Sequence, residues 1–184
     1  MRLASHEHRE RHGFGCTVYP TSSGPLLTVL AAATTAQRVL EIGCGLGYSA
    51  LCLAEGASGL VETIEQDPEH VRLGEAQIDA AGFGDRIRVL AGHASDVLTK
   101  LDGPYDLAFS DADPEEMPLV LDHALRLLRP GGLLISANLF LAQFVRALPH
   151  ADRMAEYRRR LLEDDRLRTA FAPGGLALSV VEAK

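Results

Sequence analysis

The sequence predicts an α/β fold: a doubly wound, Rossmann-like sheet of about seven strands, mostly parallel, with helices on both faces. Short apolar segments alternate with helical segments along most of the 184 residues, and this alternation is typical of a parallel sheet covered by helices. A glycine-rich loop at residues 43–47 follows the first strand, as it does at the ligand-binding edge of open α/β sheets. The last two strands are separated only by residues 172–175, Ala-Pro-Gly-Gly. So short a connection predicts a hairpin, and therefore one antiparallel late strand.

Each element is predicted from its hydrophobic pattern together with start and stop signals. The strands are predicted at residues 38–42, 60–65, 87–90, 105–110, 133–137, 167–171 and 176–182. The helices are predicted from residue 24 onward, and over 48–55, 67–81, 95–101, 115–128 and 152–164. Asp67 is a typical N-cap with Pro68 at the first helical position. The Pro-Gly-Gly sequence at 130–132 should end the helix that precedes it.

The chain shows no linker, repeat or low-complexity tract. We therefore expect a single domain over residues 1–184. Residues 1–18 are polar and weakly patterned, which predicts an arm or an irregular N-terminal segment.

The composition is that of an ordinary globular protein, with 47% hydrophobic and 23% charged residues. The formal net charge of −7 argues against non-specific nucleic-acid binding, in which Lys and Arg neutralise phosphates. The one basic run, at residues 158–160, lies among acidic residues and is interpreted as the solvated face of a helix.

The cysteines and the N-terminus indicate where the protein works. Cys16, Cys44 and Cys52 are odd in number and lack CxxC spacing, so neither a zinc site nor a disulfide framework is expected. The N-terminus is too polar for a signal peptide, and no apolar run reaches the length needed to span a bilayer. We expect a cytoplasmic protein with neither a nucleic-acid nor a membrane partner.

The glycine loop has the pattern E-x-G-x-G-x-G over residues 41–47. Glycines there let the backbone approach a ligand, and the helix behind them presents free N–H groups. Tyr48 stands where the dinucleotide fingerprint requires glycine. Glu41 would repel a pyrophosphate but suits the amino group of a bound amino acid. Glu65 ends the second strand, in the position where an acidic side chain accepts hydrogen bonds from ribose hydroxyls. The pattern therefore favours S-adenosylmethionine over NAD or ATP.

Four motifs carry a resemblance to a known family. They are residues 39–50 (VLEIGCGLGYSA), 64–68 (IEQDP), 105–113 (YDLAFSDAD) and 127–134 (LLRPGGLL). From about residue 19 to its end, the chain resembles the small-molecule O-methyltransferases of the catechol and caffeoyl-CoA type, which are class I methyltransferases.

The resemblance implies a role for each matching residue. Glu41 and Ser49 would hold the methionine end of S-adenosylmethionine, Glu65 would bind the ribose, and residues 92–94 would border the adenine. Asp111 would lie near the sulfonium and act as the catalytic residue. The full cofactor-binding set implied is Glu41, Gly43, Gly45, Gly47, Ser49, Glu65, Gln66, His93, Ala94 and Asp111.

The catalytic half departs from the family pattern. Family members of this type bind a divalent metal through an Asp, which Asp111 matches, and through a later Asp-Asn pair, which here reads Ala137-Asn138. A hard cation is bound mainly through carboxylates and waters, so one carboxylate and one amide leave a weak site or none. No metal ligand is therefore predicted, a divalent metal is doubtful, and binding through Asp111 and Asn138 stays open. The family's lysine, three residues after the metal-binding Asp, is replaced by Pro114.

Three functional hypotheses follow. The first is a metal-independent S-adenosylmethionine-dependent methyltransferase acting on a small molecule, with Asp111, Asp113 or His12 as candidate base. The second is a metal-dependent enzyme in which water replaces the missing ligand. The third is an S-adenosylmethionine-binding protein with little catalytic activity and a regulatory or assembly role. Methylation of tRNA is disfavoured by the acidic net charge. The short segment before the glycine loop also leaves a homodimer as an open alternative.

Overall fold

The computed structural model describes residues 2–12, 23–140 and 151–183. Within these ranges, seven strands form one sheet. The strands are β1 Arg38–Ile42, β2 Leu60–Glu65, β3 Ile87–Ala91, β4 Tyr105–Ser110, β5 Leu128–Ser136, β6 Leu167–Ala172 and β7 Leu176–Val181. Their order across the sheet is β3-β2-β1-β4-β5-β7-β6. The pairs β1–β2, β2–β3 and β4–β5 are parallel, whereas β7 is antiparallel to both β5 and β6. The predicted sheet, mostly parallel with one antiparallel late strand, is confirmed.

The helices alternate with the strands along the described chain. They are α1 Arg2–His12, α2 Gly24–Ala33, α3 Tyr48–Gly56, α4 Pro68–Ala80, α5 Ala94–Val97, α6 Met117–Leu127 and α7 Ala151–Glu163. A 3₁₀ turn, Leu98–Lys100, follows α5. None of these helices is long and apolar enough to cross a membrane.

The backbone divides into two compact units, Met1–His93 and Ala94–Lys184. The first unit contains β1 to β3, and after its first residue β1 is buried throughout, as expected for a parallel strand covered on both faces. Helix α2 packs on α3. Asp67 caps α4 by accepting hydrogen bonds from the backbone N–H groups of Glu69 (2.8 Å) and His70 (3.2 Å), so the predicted N-cap is confirmed.

The second unit is built on the β4–β5 pair and the β6–β7 hairpin. Leu107, Ala108 and Phe109 of β4 are fully buried. Helix α7 packs against α6 and β6 through a face formed by Met154, Tyr157 and Leu161. The spacing of three and four residues places these side chains on one side of the helix.

The boundaries of β5 and α6 differ from the prediction. Strand β5 begins at Leu128 rather than at residue 133, and the Pro-Gly-Gly sequence at 130–132 lies inside it. The cause is a register shift between Tyr105 and Leu107 in the pairing with β4, which lets Leu128 pair with Tyr105 while the intervening residues bulge. Helix α6 begins at Met117 rather than 115, because the Glu116 N–H first closes a turn onto the carbonyl of Asp113 (2.9 Å).

The secondary structure of two further segments, residues 2–12 and 94–100, differs from the prediction. The segment predicted as an arm or irregular is helical as α1, over residues 2–12, and its remainder lies outside the described residues. The single helix predicted at 95–101 is instead α5 followed by the 3₁₀ turn. The single-domain organisation stays a prediction.

Candidate active site

The glycine loop connects β1 to α3 and depends on left-handed backbone conformations. Gly43, Gly45 and Gly47 have φ angles of 96°, 53° and 86°, a region in which side chains are disfavoured. The N–H groups of Gly43 and Cys44 donate to the carbonyl of Ile64 at 3.0 and 3.1 Å. These bonds tie the start of the loop to the end of β2.

Glu65, the last residue of β2, is bound directly to this loop. Its Oε2 accepts a hydrogen bond from the Gly45 N–H at 2.7 Å, and its Oε1 accepts one from the Asp67 N–H at 2.9 Å. The side chain is buried, and its Oε1 lies 3.8 Å from Nδ1 of His70. The structure therefore brings together two parts of the predicted cofactor site, Glu65 and the middle of the glycine loop.

Glu41 places a second carboxylate beneath the loop. It is fully buried, and its Oε2 accepts a hydrogen bond from Oγ1 of Thr63 on the neighbouring strand at 2.5 Å. Burial and the nearby Glu41 carboxylate raise the pKa of the Cys44 thiol far above its usual value. Two acidic side chains, Glu41 and Glu65, therefore lie at the loop, and carboxylates attract cationic groups.

The remaining cofactor candidates lie at the edges of the elements. Ser49 is buried in the first turn of α3, and Gln66 is exposed immediately after β2. His93 is exposed after β3, and Ala94 is buried at the start of α5. The Gly92 N–H donates to the carbonyl of Glu65 at 2.9 Å, so the segment after β3 is joined to the end of β2.

In the second unit, Asp111 follows β4 and Asn138 follows β5. The Ala137 N–H donates to the carbonyl of Ser110 at 2.8 Å, which aligns the two strand ends. The side-chain amide of Asn138 donates a hydrogen bond to Oδ1 of Asp111. Burial raises the pKa of the Asp111 carboxyl to about 6, with a smaller contribution from the Asp113 carboxylate. The structure thus joins the two polar residues that the sequence placed on the catalytic side.

The other base candidates lie in more open positions. Asp113 is exposed two residues after Asp111. His12 is exposed on α1, with its ring stacked on that of His8 at a centroid distance of 4.2 Å.

The side chains at this edge do not fit the family's divalent-metal site. Ala137, at the position of the second carboxylate, is buried and carries no ligand atom. Asn138 directs its amide N–H groups, which are donors, toward Asp111. Hard cations bind mainly to carboxylate oxygens and waters, and this pair offers one carboxylate fewer than the family's site. Within residues 2–12, 23–140 and 151–183, no group of three or more His, Cys, Asp or Glu side chains is placed to hold a metal ion.

A family model described as O-methyltransferase matches residues 8–181. The chain belongs to this O-methyltransferase family. A protein of Mycobacterium sp. (strain JLS) that is assigned as an O-methyltransferase is 38% identical over 165 residues, which cover 85% of this chain and 75% of the relative. The family and the enzyme class predicted from the sequence are confirmed.

Solved structures match this O-methyltransferase over nearly its whole length. Cofactor-bound Rv0187 from MTB has a TM-score of 0.86 and 29% identity, covering 99% of this chain and 89% of that one. TomG of Streptomyces achromogenes, an O-methyltransferase of tomaymycin synthesis in complex with S-adenosylmethionine, has a TM-score of 0.83 and 27% identity, with coverages of 98% and 88%.

Sequence reasoning missed the part that α7 plays in this O-methyltransferase. The sequence predicts that the basic run 158–160 is a solvated helix face, but only Arg159 is exposed, and it pairs with Glu163. Arg158 donates to the carbonyl of Leu139 at 2.5 Å, and Arg160 donates to the carbonyl of Pro118 at 3.0 Å. The available signal was the apolar spacing of residues 154, 157 and 161, which places residue 158 at the edge of the buried face.

Proposed function

We propose that this O-methyltransferase transfers the methyl group of S-adenosylmethionine to a hydroxyl group of a small molecule, and that it needs no divalent metal. The observation that carries the proposal is the hydrogen bond from the Gly45 N–H to Oε2 of Glu65. It joins the glycine loop to a carboxylate suited to accept hydrogen bonds from ribose hydroxyls. The S-adenosylmethionine bound to TomG supports the same cofactor here.

The charges and lone pairs of the loop match the parts of S-adenosylmethionine. Its sulfonium and ammonium groups are positive, and the buried Glu41 carboxylate provides the complementary charge. Each oxygen of Glu65 accepts one backbone N–H, whereas a carboxylate oxygen can accept two hydrogen bonds. Glu65 can therefore keep its hydrogen bonds from the Gly45 and Asp67 N–H groups and still accept hydrogen bonds from ribose hydroxyls.

The other residues of the cofactor site are proposed on the same basis. Ser49 would bind the methionine end from the first turn of α3, while His93 and Ala94 would border the adenine. Gln66 would lie beside the ribose, next to Glu65 in the chain. These assignments follow from their places at the carboxyl ends of β1, β2 and β3, where ligands of open α/β sheets bind.

The chemistry assigned to the Asp111–Asn138 pair is alignment of the acceptor and removal of its proton. The acceptor oxygen attacks the methyl carbon as the carbon–sulfur bond breaks, giving the methyl ether and S-adenosylhomocysteine, while the hydroxyl loses its proton. Asp111 accepts that proton, and the Asn138 amide fixes the orientation of the carboxylate. No step requires a metal, which agrees with the alanine at position 137.

Two measurements test this function. S-adenosylmethionine at millimolar concentration should raise the unfolding temperature, because a ligand of the native state stabilises it. With EDTA present, the enzyme should convert catechol-type acceptors and release S-adenosylhomocysteine. Loss of turnover in EDTA that Mg²⁺ restores would show the metal-free proposal to be wrong. A thermal shift without turnover on a broad acceptor panel would favour the S-adenosylmethionine-binding protein with little activity.

The cellular location, domain organisation and oligomeric state of the enzyme are the last parts of the proposal. We infer a cytoplasmic protein, since Cys44 and Cys52 are free thiols within the described residues and the reducing cytoplasm keeps thiols unpaired. We also infer that the chain acts as a single domain, which predicts one cooperative unfolding transition in calorimetry. Light scattering on the purified protein distinguishes a monomer from the homodimer that the sequence left open.

A further inference from the structure

Asn138 has a backbone conformation that its neighbours must maintain. Its φ angle is 60°, in the left-handed region that asparagine tolerates better than most residues but does not prefer. On one side, the Ala137 N–H is bonded to the carbonyl of Ser110 at 2.8 Å. On the other side, the Leu139 N–H is bonded to the carbonyl of Gly175 at 3.1 Å. The residue that faces Asp111 is thus presented by a segment fixed at both ends.

Helix α7 adds two contacts to the same segment. The hydroxyls of Tyr157 and Ser136 are hydrogen-bonded at 2.8 Å in a buried position just before Asn138. Arg158 donates from Nη1 to the carbonyl of Leu139 just after it, and the guanidinium carbon lies 5.5 Å from the centroid of the Phe140 ring. Consecutive residues of α7 therefore bind the chain on either side of Asn138.

We infer that Arg158 is a positioning residue of the methyl transfer: through the Leu139 carbonyl and the Phe140 ring, it holds the Asn138 amide against Asp111. The inference rests on the proposed function of the Asp111–Asn138 pair. Arginine suits this position, because its planar guanidinium can donate to a carbonyl and stack on an aromatic ring at once. A charge-assisted hydrogen bond is also stronger than one between neutral groups.

The sequence offers a direct spectroscopic test, because Asn138 is its only asparagine. Protein labelled with ¹⁵N in the asparagine side chain gives a single NH₂ signal, whose two proton shifts report the hydrogen bond to Asp111. In Arg158→Gln these shifts should move toward those of free asparagine. Arg159→Gln is the matched control, since it removes the same charge from an exposed neighbour on the same helix. Its NH₂ signal should stay at the wild-type position.

The kinetic test separates positioning from cofactor binding. With S-adenosylmethionine and catechol as probe substrates, Arg158→Gln should lower kcat by about tenfold to a hundredfold, as expected for a small misplacement of a catalytic group. KM for S-adenosylmethionine should stay within about twofold of the wild type, since the glycine loop is untouched. Arg158→Lys keeps one charged donor and should recover part of kcat. Where Arg158→Gln proves poorly folded, Arg158→Lys replaces it in the comparison with Arg159→Gln. The two variants are then compared at temperatures at which both are fully folded.

The outcomes distinguish this inference from the function on which it rests. Unchanged turnover in Asn138→Ala would overturn the role of the Asp111–Asn138 pair, and the positioning with it. Impaired turnover in Asn138→Ala, together with wild-type kcat and an unshifted NH₂ signal in Arg158→Gln, would overturn the positioning alone. A shifted NH₂ signal and lowered kcat in Arg158→Gln, with both unchanged in Arg159→Gln, would support it.

Discussion

The glycine loop after β1 and the Asp111–Asn138 pair after β4 and β5 both lie at the carboxyl ends of parallel strands, but they are stabilised in different ways. The loop is shaped by its own glycines and by one nearby carboxylate, Glu65. The pair depends on a distant helix, through the contacts of Arg158 and Tyr157 with the chain around Asn138. In this enzyme the contacts of the half proposed to bind the methyl donor follow from the strand order, because Glu65 ends the strand that pairs with β1. The half proposed to use the methyl donor depends on side chains of a helix, which the strand order does not specify.

The largest expected effect comes from filling the glycine loop. In Gly45→Val, a β-branched side chain enters a backbone with φ of 53° whose N–H binds Glu65. Strain and loss of ligand space should weaken S-adenosylmethionine binding by at least about a hundredfold, as measured by titration calorimetry. Gly82→Val is the control, since it has a similar φ of 79° but no atom within 4 Å of the added carbon. Near-normal affinity in Gly45→Val would refute the loop assignment.

The second effect tests the other half. Asp111→Asn removes the proposed proton acceptor while keeping the shape of the side chain, so kcat should fall by about a hundredfold or more. The dissociation constant of S-adenosylmethionine should change much less, because the glycine loop and Glu65 are intact. Asp113→Asn alters an exposed carboxylate of the same segment and serves as the control. Equal loss of kcat in the two variants, by steady-state kinetics, would contradict the assignment of Asp111.

The same contrast explains what could be predicted from the sequence. The strand–helix order and the Asp67 cap follow from local patterns, and the structure contains both. The closeness of Glu65 to the glycines follows from the pairing of the two strands that carry them. The bulge that starts β5 early could not be predicted, because it depends on how Leu128 pairs with Tyr105. Nor could the bond from Arg158 to a carbonyl 19 residues away, since a basic run carries no signal of its partner.

A smaller loss should follow from changing the acceptor capacity of Glu65. In Glu65→Gln, an NH₂ group replaces an oxygen that accepts a backbone N–H from Gly45 or Asp67. The unsatisfied donor destabilises the free and the bound protein alike, so the affinity for S-adenosylmethionine falls through the weakened hydrogen bonds to the ribose. A hydrogen bond to a charged group contributes about 1.5–3 kcal/mol, so the loss should be roughly tenfold to a hundredfold. Glu69→Gln, at an exposed position in α4, is the neutralising control. If calorimetry gave both variants the wild-type affinity, the carboxylate of Glu65 would not belong to the cofactor site.

The smallest effect concerns pH and again belongs to the cofactor half. His8 of α1 stacks on His12 and meets the ring of His70 edge-on at 5.3 Å, beside Glu65. Burial lowers the pKa of His8 below 6.5, and His12, His70 and Arg11 lower it further, while Glu69 opposes them.

The folded protein therefore binds the His8 proton less tightly than the unfolded chain does, and acidification favours unfolding. The contribution to stability is constant above pH 6.5 and decreases as the pH falls through 6.5 toward the lower folded-state pKa of His8. In His8→Gln the unfolding temperature should fall slightly less between pH 7.5 and 5.5 than in the wild type. His6→Gln, at an exposed position of the same helix, should keep the wild-type slope. Equal slopes in the two variants, by calorimetry across this range, would show that folding does not lower the pKa of His8.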